Sequence, residues 1–218
     1  MKNNIIIFGL LLLGLASVGT NYLRAEDDVL FVDRMDQMRK NELGGRNSTY
    51  VQPPSRVYFS KSDKWGKQEG DRALKIIYDK KNVGGPRDDG GFCGFYSILK
   101  KGREGYLDVS NFQYLTFWVR QEPSSQDVRF KVGLADRQWE LLDDSFKSEE
   151  VGNYLPEGEV TEEWQMAMIP LEDFFIDLSQ LAALAIAFEA DVFEDGAGRG
   201  SVHIDDVAFV KDAILFSE

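Results

Sequence analysis

Hydrophobic and polar residues alternate along three separated segments of the chain, 106–120, 163–171 and 201–210, with the period of β-strands. In the first, Leu115, Phe117 and Val119 interleave with Thr116, Trp118 and Arg120. One face of that strand belongs to a core, and the other, which carries the tryptophan, looks away from it. The same pattern places shorter strands at 29–32, 57–60, 73–78, 92–99 and 128–134, the last paired with 114–120 through the Glu122-Pro-Ser-Ser turn. Polar, glycine-bearing 39–52 reads as loop. Segment 178–190 has the alanine and leucine content of a helix. Its Leu184, Ile186 and Phe188 nevertheless alternate with Ala185, Ala187 and Glu189, and the Asp195-Gly-Ala-Gly-Arg-Gly loop turns the chain into the last strand. A strand is therefore expected there. Short strands separated by glycine turns, without internal repeat or linker, predict an all-β sandwich in one domain.

The N-terminus breaks this pattern. Lys2 precedes an apolar run over 5–18, interrupted by Gly9, Gly14 and Ser17, and the chain turns acidic at Glu26. This reads as a secretory signal peptide, shorter than the roughly 20 apolar residues of a membrane span. Ala25 is the expected last residue of the leader, residues 16–19 offer a second small-residue cut, and an uncleaved anchor is the alternative. The expected organisation is a leader over 1–25 and a single domain over 26–218, in a protein that is secreted, periplasmic or held at the cell surface.

Charge narrows the partners. The chain carries 25 Lys and Arg against 37 Asp and Glu, a formal net charge of −12, and loss of the basic Lys2 and Arg24 with the leader takes it to −14. Such a surface repels nucleic acid and anionic lipid and suits neutral ligands or cations. Cys93 is the single cysteine, so no intramolecular disulfide is possible, and its Gly-Phe neighbours suit a small buried hydrophobe. The lone His203 excludes zinc sites built on a histidine pair.

Several segments together resemble a known family. They are Val32-Asp-Arg-Met-Asp-Gln followed by Asn41-Glu-Leu-Gly-Gly, then Gly70-Asp-Arg-Ala-Leu-Lys-Ile-Ile-Tyr-Asp, Tyr106-Leu-Asp-Val-Ser and Leu115-Thr-Phe-Trp-Val. Val160-Thr-Glu-Glu-Trp-Gln, Ile169-Pro-Leu-Glu-Asp-Phe and Val202-His-Ile-Asp-Asp-Val complete the set. In this order they resemble the carbohydrate-binding modules of the galactose-binding-like jelly-roll type, above all those of family 11. The resemblance implies a jelly-roll β-sandwich of two antiparallel sheets and a non-catalytic protein that binds neutral poly- or oligosaccharide on its concave sheet. Such modules are commonly joined to glycoside hydrolases; for these 218 residues a stand-alone role is the expectation.

Sugar rings offer apolar C–H faces to aromatic side chains and hydroxyls to planar polar groups. Trp118 is the leading stacking candidate, with Tyr114 and Arg120 on its face. Lys75, Arg129 and Lys131 occupy outward positions on other strands, and Tyr96, Trp139 and Trp65 are strand-end or loop candidates. The alternative for Trp118 is burial beneath a loop. Trp164, beside a strand start, reads as structural. Ala183, Ala185 and Ala187 share one face, where they floor a groove or lie under loops. The resemblance also implies a structural calcium, with Asp33, Asp36 and Asn41 near the start and Asp205 or Asp206 near the end as ligands. The alternative is a set of edge-exposed or arginine-paired carboxylates.

No nucleophile elbow, phosphate loop or dinucleotide fingerprint occurs, and the abundance of carboxylates does not by itself make a glycosidase pair. An enzyme is not expected. The competing function is a periplasmic or surface scaffold that binds a protein partner through the same sheet.

Overall fold

The computed structural model describes residues 28–67, 72–85, 90–102, 105–125 and 127–212. The leader read at 1–25 lies outside them. Eleven strands and one short helix are described: β1 (Val29–Asp33), β2 (Asn47–Val51), β3 (Arg56–Ser62), β4 (Ala73–Lys80), β5 (Cys93–Ile98), β6 (Tyr114–Gln121), β7 (Lys131–Asp136), α1 (Arg137–Leu141), β8 (Phe146–Glu150), β9 (Gln165–Pro170), β10 (Leu181–Phe188) and β11 (Gly198–Val210).

They form two antiparallel sheets. One runs β3-β4-β11-β6-β9 with β1 also on β11, and the other runs β2-β5-β10-β7-β8. The long β11 pairs with β4 over its first half and with β1 over Val207–Val210. The exchange of partners falls at a bulge between Asp205 and Ala208, where Asp206 takes a positive φ of 47°. Bulges of this kind bend a strand and let its edge change neighbours.

Alternation decides which residues fill the core. Leu115, Phe117 and Val119 of β6 face Phe130, Val132 and Leu134 from the other sheet, with the rings of Phe117 and Phe130 6.4 Å apart. Tyr78 of β4 stacks on Phe188 of β10 at 3.8 Å. Cys93 is fully buried and burial pushes its thiol up to about 12, the behaviour of an inert core residue. Segment 178–190 holds a strand, as its alternation predicts.

Two readings of the sequence need correction. Segment 128–134 does not pair with 114–120, because β7 lies in the opposite sheet between β10 and β8. The Glu122–Ser125 turn is tied to β11, with Glu122 N–H donating to Ser201 O at 3.1 Å, and the chain then crosses the sandwich. Both segments show an apolar face because both border the same core. Segment 39–52 contains β2, whose polarity hides it. Its Asn47 is buried and donates to Asp33 Oδ2 at 2.8 Å, so side-chain hydrogen bonding replaces apolar contact there.

Candidate functional site

The outer face of the five-stranded sheet is built in rows across the strands. Tyr50, Gly94, Ala187 and Lys131 form one row. Ser48, Tyr96, Ala185, Gly133 and Lys147 form the next, and Ile98, Ala183 and Ala135 the third. Each row thus holds two adjacent small residues between larger side chains, a strip of glycine and alanine two strands wide, with the strands about 5 Å apart. The two glycines are required by this layout. A Cβ at Gly94 would collide with the Tyr50 ring and with the carbonyl of Ile186, and one at Gly133 would collide with the Ser145 hydroxyl.

Charges along the strip are matched in pairs. Lys131 Nζ lies 2.6 Å from Asp191, and Lys147 Nζ lies 2.6 Å from Asp144 and 3.9 Å from Glu189. Burial raises the pKa of Glu189 above the ordinary glutamate value, with Lys147 opposing the shift. Burial likewise holds the Tyr50 phenol well above its usual range, so it stays neutral at all physiological pH. At the opposite end Tyr106 donates to Glu140 at 2.9 Å, and Lys100 pairs with the same carboxylate. Asp136 fixes that end. One of its oxygens accepts from Gln138 N–H at 2.8 Å and Trp139 N–H at 2.9 Å, capping α1, and the other accepts from Asp177 N–H at 2.9 Å. An N-cap aspartate before a short helix is a sequence signal that the strand pattern conceals. Trp139 packs edge-on against Phe146 at 6.0 Å, and Phe146 against Phe175, which is 82% exposed.

The outer face of the six-stranded sheet differs. It carries Tyr114, Trp118, Arg120 and Lys75, and a row Lys75–His203–Arg120 crosses its centre. A segment from the β3–β4 connection lies over it. The Arg120 guanidinium rests 4.1 Å from the Trp65 ring centre and 5.9 Å from that of Trp164. Lys67 sits 4.3 Å over the Trp118 ring and pairs with Asp206 at 3.1 Å, while Lys75 holds Glu122 at 2.7 Å. His203 is fully buried, with no hydrogen-bond partner for either ring nitrogen among the described residues, and burial pushes its pKa down to about 4.

The eight ligand candidates therefore do not share one surface. Tyr96 and Lys131 lie on the five-stranded face, with Trp139 at one end of it. Tyr114, Trp118, Arg120 and Lys75 lie on the six-stranded face, where Trp118 is half-buried. Arg129 precedes β7, pairs with Asp127 at 2.5 Å and Glu150 at 3.7 Å, and lines a polar cleft of about 470 Å³ with Gln121 and Glu159. A second cleft, of about 620 Å³, runs along β9 beside Tyr154, Met166, Met168 and Pro170. The first cleft adjoins the β8 margin of that face, where its Glu150 lies across from Lys131, and the second lies along β9 of the other sheet. The strip was legible only as three alanines; Tyr50, Gly94, Gly133, Ser145 and Lys147 went unread.

The strand register brings Asp33 opposite Val207, beside Asp205 and Asp206, and the calcium candidates have protein partners there. Asp33 accepts from Met35 N–H at 2.7 Å and from Asn47 at 2.8 Å, and burial raises its carboxyl to about 6. Asn41 donates to Ser97 Oγ at 2.8 Å and to Ile98 O at 2.7 Å and accepts from Gly45 N–H at 2.7 Å. Asp36 is exposed, Asp205 accepts from Asp206 N–H at 2.9 Å, and Asp206 pairs with Lys67. No group of three or more His, Cys, Asp and Glu residues is placed to hold a metal among the described residues. Asp33 and Asn41 already have their oxygens on amide donors, an arrangement that pins β1 and its following loop to β2 and β5. The melting temperature is accordingly expected to be equal in millimolar calcium and in EDTA. A rise of several degrees with calcium, by mass action on the folded state, would instead show that an ion binds the folded protein.

Comparison with known proteins places this geometry. A family model described as Carbohydrate binding domain 30 matches residues 33–211. The family 11 module of Clostridium thermocellum in complex with a β-1,3-1,4-mixed-linked tetrasaccharide is 12% identical, with a TM-score of 0.55 over 84% of this chain and 95% of that one. The family 30 module of the cellulosomal cellulase Cel9D-Cel44B of C. thermocellum is 16% identical, with a TM-score of 0.53 over 85% and 98% of the two chains. At these identities the likeness is one of fold, and the fold is the carbohydrate-binding jelly-roll sandwich that the sequence resemblance implies. A search of curated proteins finds no match. With the family model running from the end of β1 to just past β11, the chain belongs to the carbohydrate binding domain 30 family.

Proposed function

We propose that this chain is a secreted, non-catalytic protein that binds neutral oligo- or polysaccharide on the outer face of its five-stranded sheet. The observation that carries the reading is the strip of Gly94, Gly133 and four alanines, flanked by Tyr50 and Tyr96 and edged by lysines that each have a carboxylate partner. Small side chains let a sugar ring approach the sheet, an aromatic flank offers a stacking surface, and matched charges leave polar groups for hydroxyls without a net field that would select an ionised sugar. The six-stranded face supports the reading less well, because Trp65 and Lys67 already occupy Arg120 and Trp118. Family membership and the tetrasaccharide held by the family 11 neighbour support the ligand class. Export is supported by the apolar run at 5–18 before acidic Glu26; intact mass of exported protein is expected to start near Glu26.

The test is affinity electrophoresis of the mature protein in gels containing β-glucan, xylan or mannan. Retardation by at least one is expected. Free migration in all three would remove the carbohydrate reading and favour a protein partner, to which Leu141 (80%), Leu142 (62%) and Phe175 (82%) at α1 offer exposed apolar surface.

A further inference from the structure

We infer that the edge of the sandwich between β8 and β9 is a second saccharide-binding site, so that the protein holds two neutral glycan chains at once. The inference rests on the carbohydrate reading above for its ligand class, and takes its place from cavities that the five-stranded face does not share.

The polar cleft beside Arg129 and the cleft along β9 are both lined by Asn153, and they meet there. Together they make one groove, which starts at Glu150 on β8, passes the turn Val151–Tyr154 and ends on Met166, Met168 and Pro170 of β9. Its parts measure about 470 and 620 Å³, each within the roughly 300–1,000 Å³ of ligand sites. The walls are set by the protein itself. Gln165, which is buried, accepts from Glu157 N–H at 3.2 Å and donates to Glu159 O at 3.0 Å and to Thr161 Oγ1 at 2.9 Å, fixing the loop 157–161. That loop passes so close to the turn that a Cβ on Gly152 would strike the carbonyl of Gly158. Arg129 is held by Asp127 at 2.5 Å and Glu150 at 3.7 Å, and Tyr154 donates to Asp173 at 2.9 Å.

The two parts match the two kinds of surface on a sugar. The first presents planar polar groups, Arg129, Glu150, Asn153, Glu159 and Gln121. Gln121 Oε1 has no donor, and Asn153 makes no side-chain hydrogen bond, among the described residues. Hydroxyls, which donate and accept at once, suit such a set. The second part offers the Tyr154 ring with Met166, Met168 and Pro170, an apolar bed for a C–H face. Asp127, Glu150, Glu159 and Glu162 outnumber the single arginine in the first part, so an ionised acidic sugar is repelled and a neutral one is admitted. The groove is separate from the strip. In the strand register Lys131, paired with Asp191, stands between Ala187 of the strip and Glu150 of the groove, and β9 belongs to the other sheet. With one aromatic ring against the two that flank the strip, the groove is the weaker site.

The experiment is isothermal titration calorimetry of the full mature protein with the tetrasaccharide of whichever polysaccharide retards it, β-glucan, xylan or mannan. Two tetrasaccharides per protein are expected, one bound more tightly than the other. Tyr154→Ala should weaken the weaker site about tenfold and leave the tighter one unchanged, and Tyr96→Ala should do the reverse. Tyr154 packs partly against the core, so the exposed Asn153→Ala, expected to weaken the same site several-fold, carries the test if Tyr154→Ala misfolds. One tetrasaccharide per protein, weakened by Tyr96→Ala and indifferent to Asn153→Ala, would overturn the inference and leave the carbohydrate reading intact. One tetrasaccharide weakened by Asn153→Ala alone would overturn the pair of sites and remove the five-stranded face from the account. Absence of any binding would overturn the inference together with the carbohydrate reading.

Discussion

Gly94→Ala is expected to cost about 3 kcal/mol of folding stability, the upper part of the range for overpacking in a closely packed sheet. The added methyl meets two obstacles at once. One is the Tyr50 ring, which can swing away, and the other is the carbonyl of Ile186 in the neighbouring strand β10, which cannot move without disturbing its ladder. Because Tyr50 flanks the strip and must be displaced, the stability loss should come with a change in sugar binding. Urea denaturation at pH 7 checks the first part. A loss below roughly 1 kcal/mol would mean that Tyr50 does not lie over the glycine as described.

His203→Leu is expected to change how stability depends on pH. In the folded protein the histidine has a pKa of about 4 against an ordinary 6.5, because burial disfavours the imidazolium between the Lys75 and Arg120 side chains, with Glu122 only partly offsetting it. As pH falls from 6.5 to 4, the unfolded chain takes up the proton and the folded chain does not, so folding loses up to about 3 kcal/mol across that window and no more below it. Asp33 works in the opposite sense. Its folded pKa of about 6 lies above the ordinary 3.8, so the folded state binds the proton first and stability rises as pH falls from 6 to 3.8. The wild-type profile is therefore flattened by two opposed groups. In the leucine variant only the aspartate limb remains, and the stability difference between variant and wild type should widen as pH falls from 6.5 to 4. At neutral pH the substitution should cost little or stabilise, since it removes two buried ring nitrogens that lack partners among the described residues. Parallel denaturation profiles for the two proteins would contradict this description of the His203 environment.

What the sequence made legible follows physical lines. β6 could be read because its alternation is a direct consequence of having one face in a core, and Trp118 does lie on the other face. What lies over that face could not be read, since Lys67 reaches Trp118 and Trp65 reaches Arg120 from a different connection of the sandwich. β8 escaped notice because it is an edge strand whose Lys147, Glu149 and Glu150 suit a margin facing water rather than a core. Alternation states that a strand has a buried face but not which sheet it joins, and this misplaced 128–134. The candidate site follows the same rule. Lys131 was legible as an outward side chain and Tyr96 as a strand-end or loop candidate, but Tyr50 lies over a glycine 44 positions further along the chain, and such a contact exists only once β2 and β5 are side by side.

Which face carries the sugar is decided most directly by comparing Tyr96→Ala with Trp118→Ala against the polysaccharide that retards the wild type. The two rings lie on opposite faces of the sandwich, so each variant probes one face alone. The account predicts that Tyr96→Ala weakens binding about tenfold, the loss of an aromatic contact of about 1.4 kcal/mol, while Trp118→Ala, once shown to be folded, binds as the wild type does. Binding that survives Tyr96→Ala and disappears with a folded Trp118→Ala would contradict it and move the site to the six-stranded face.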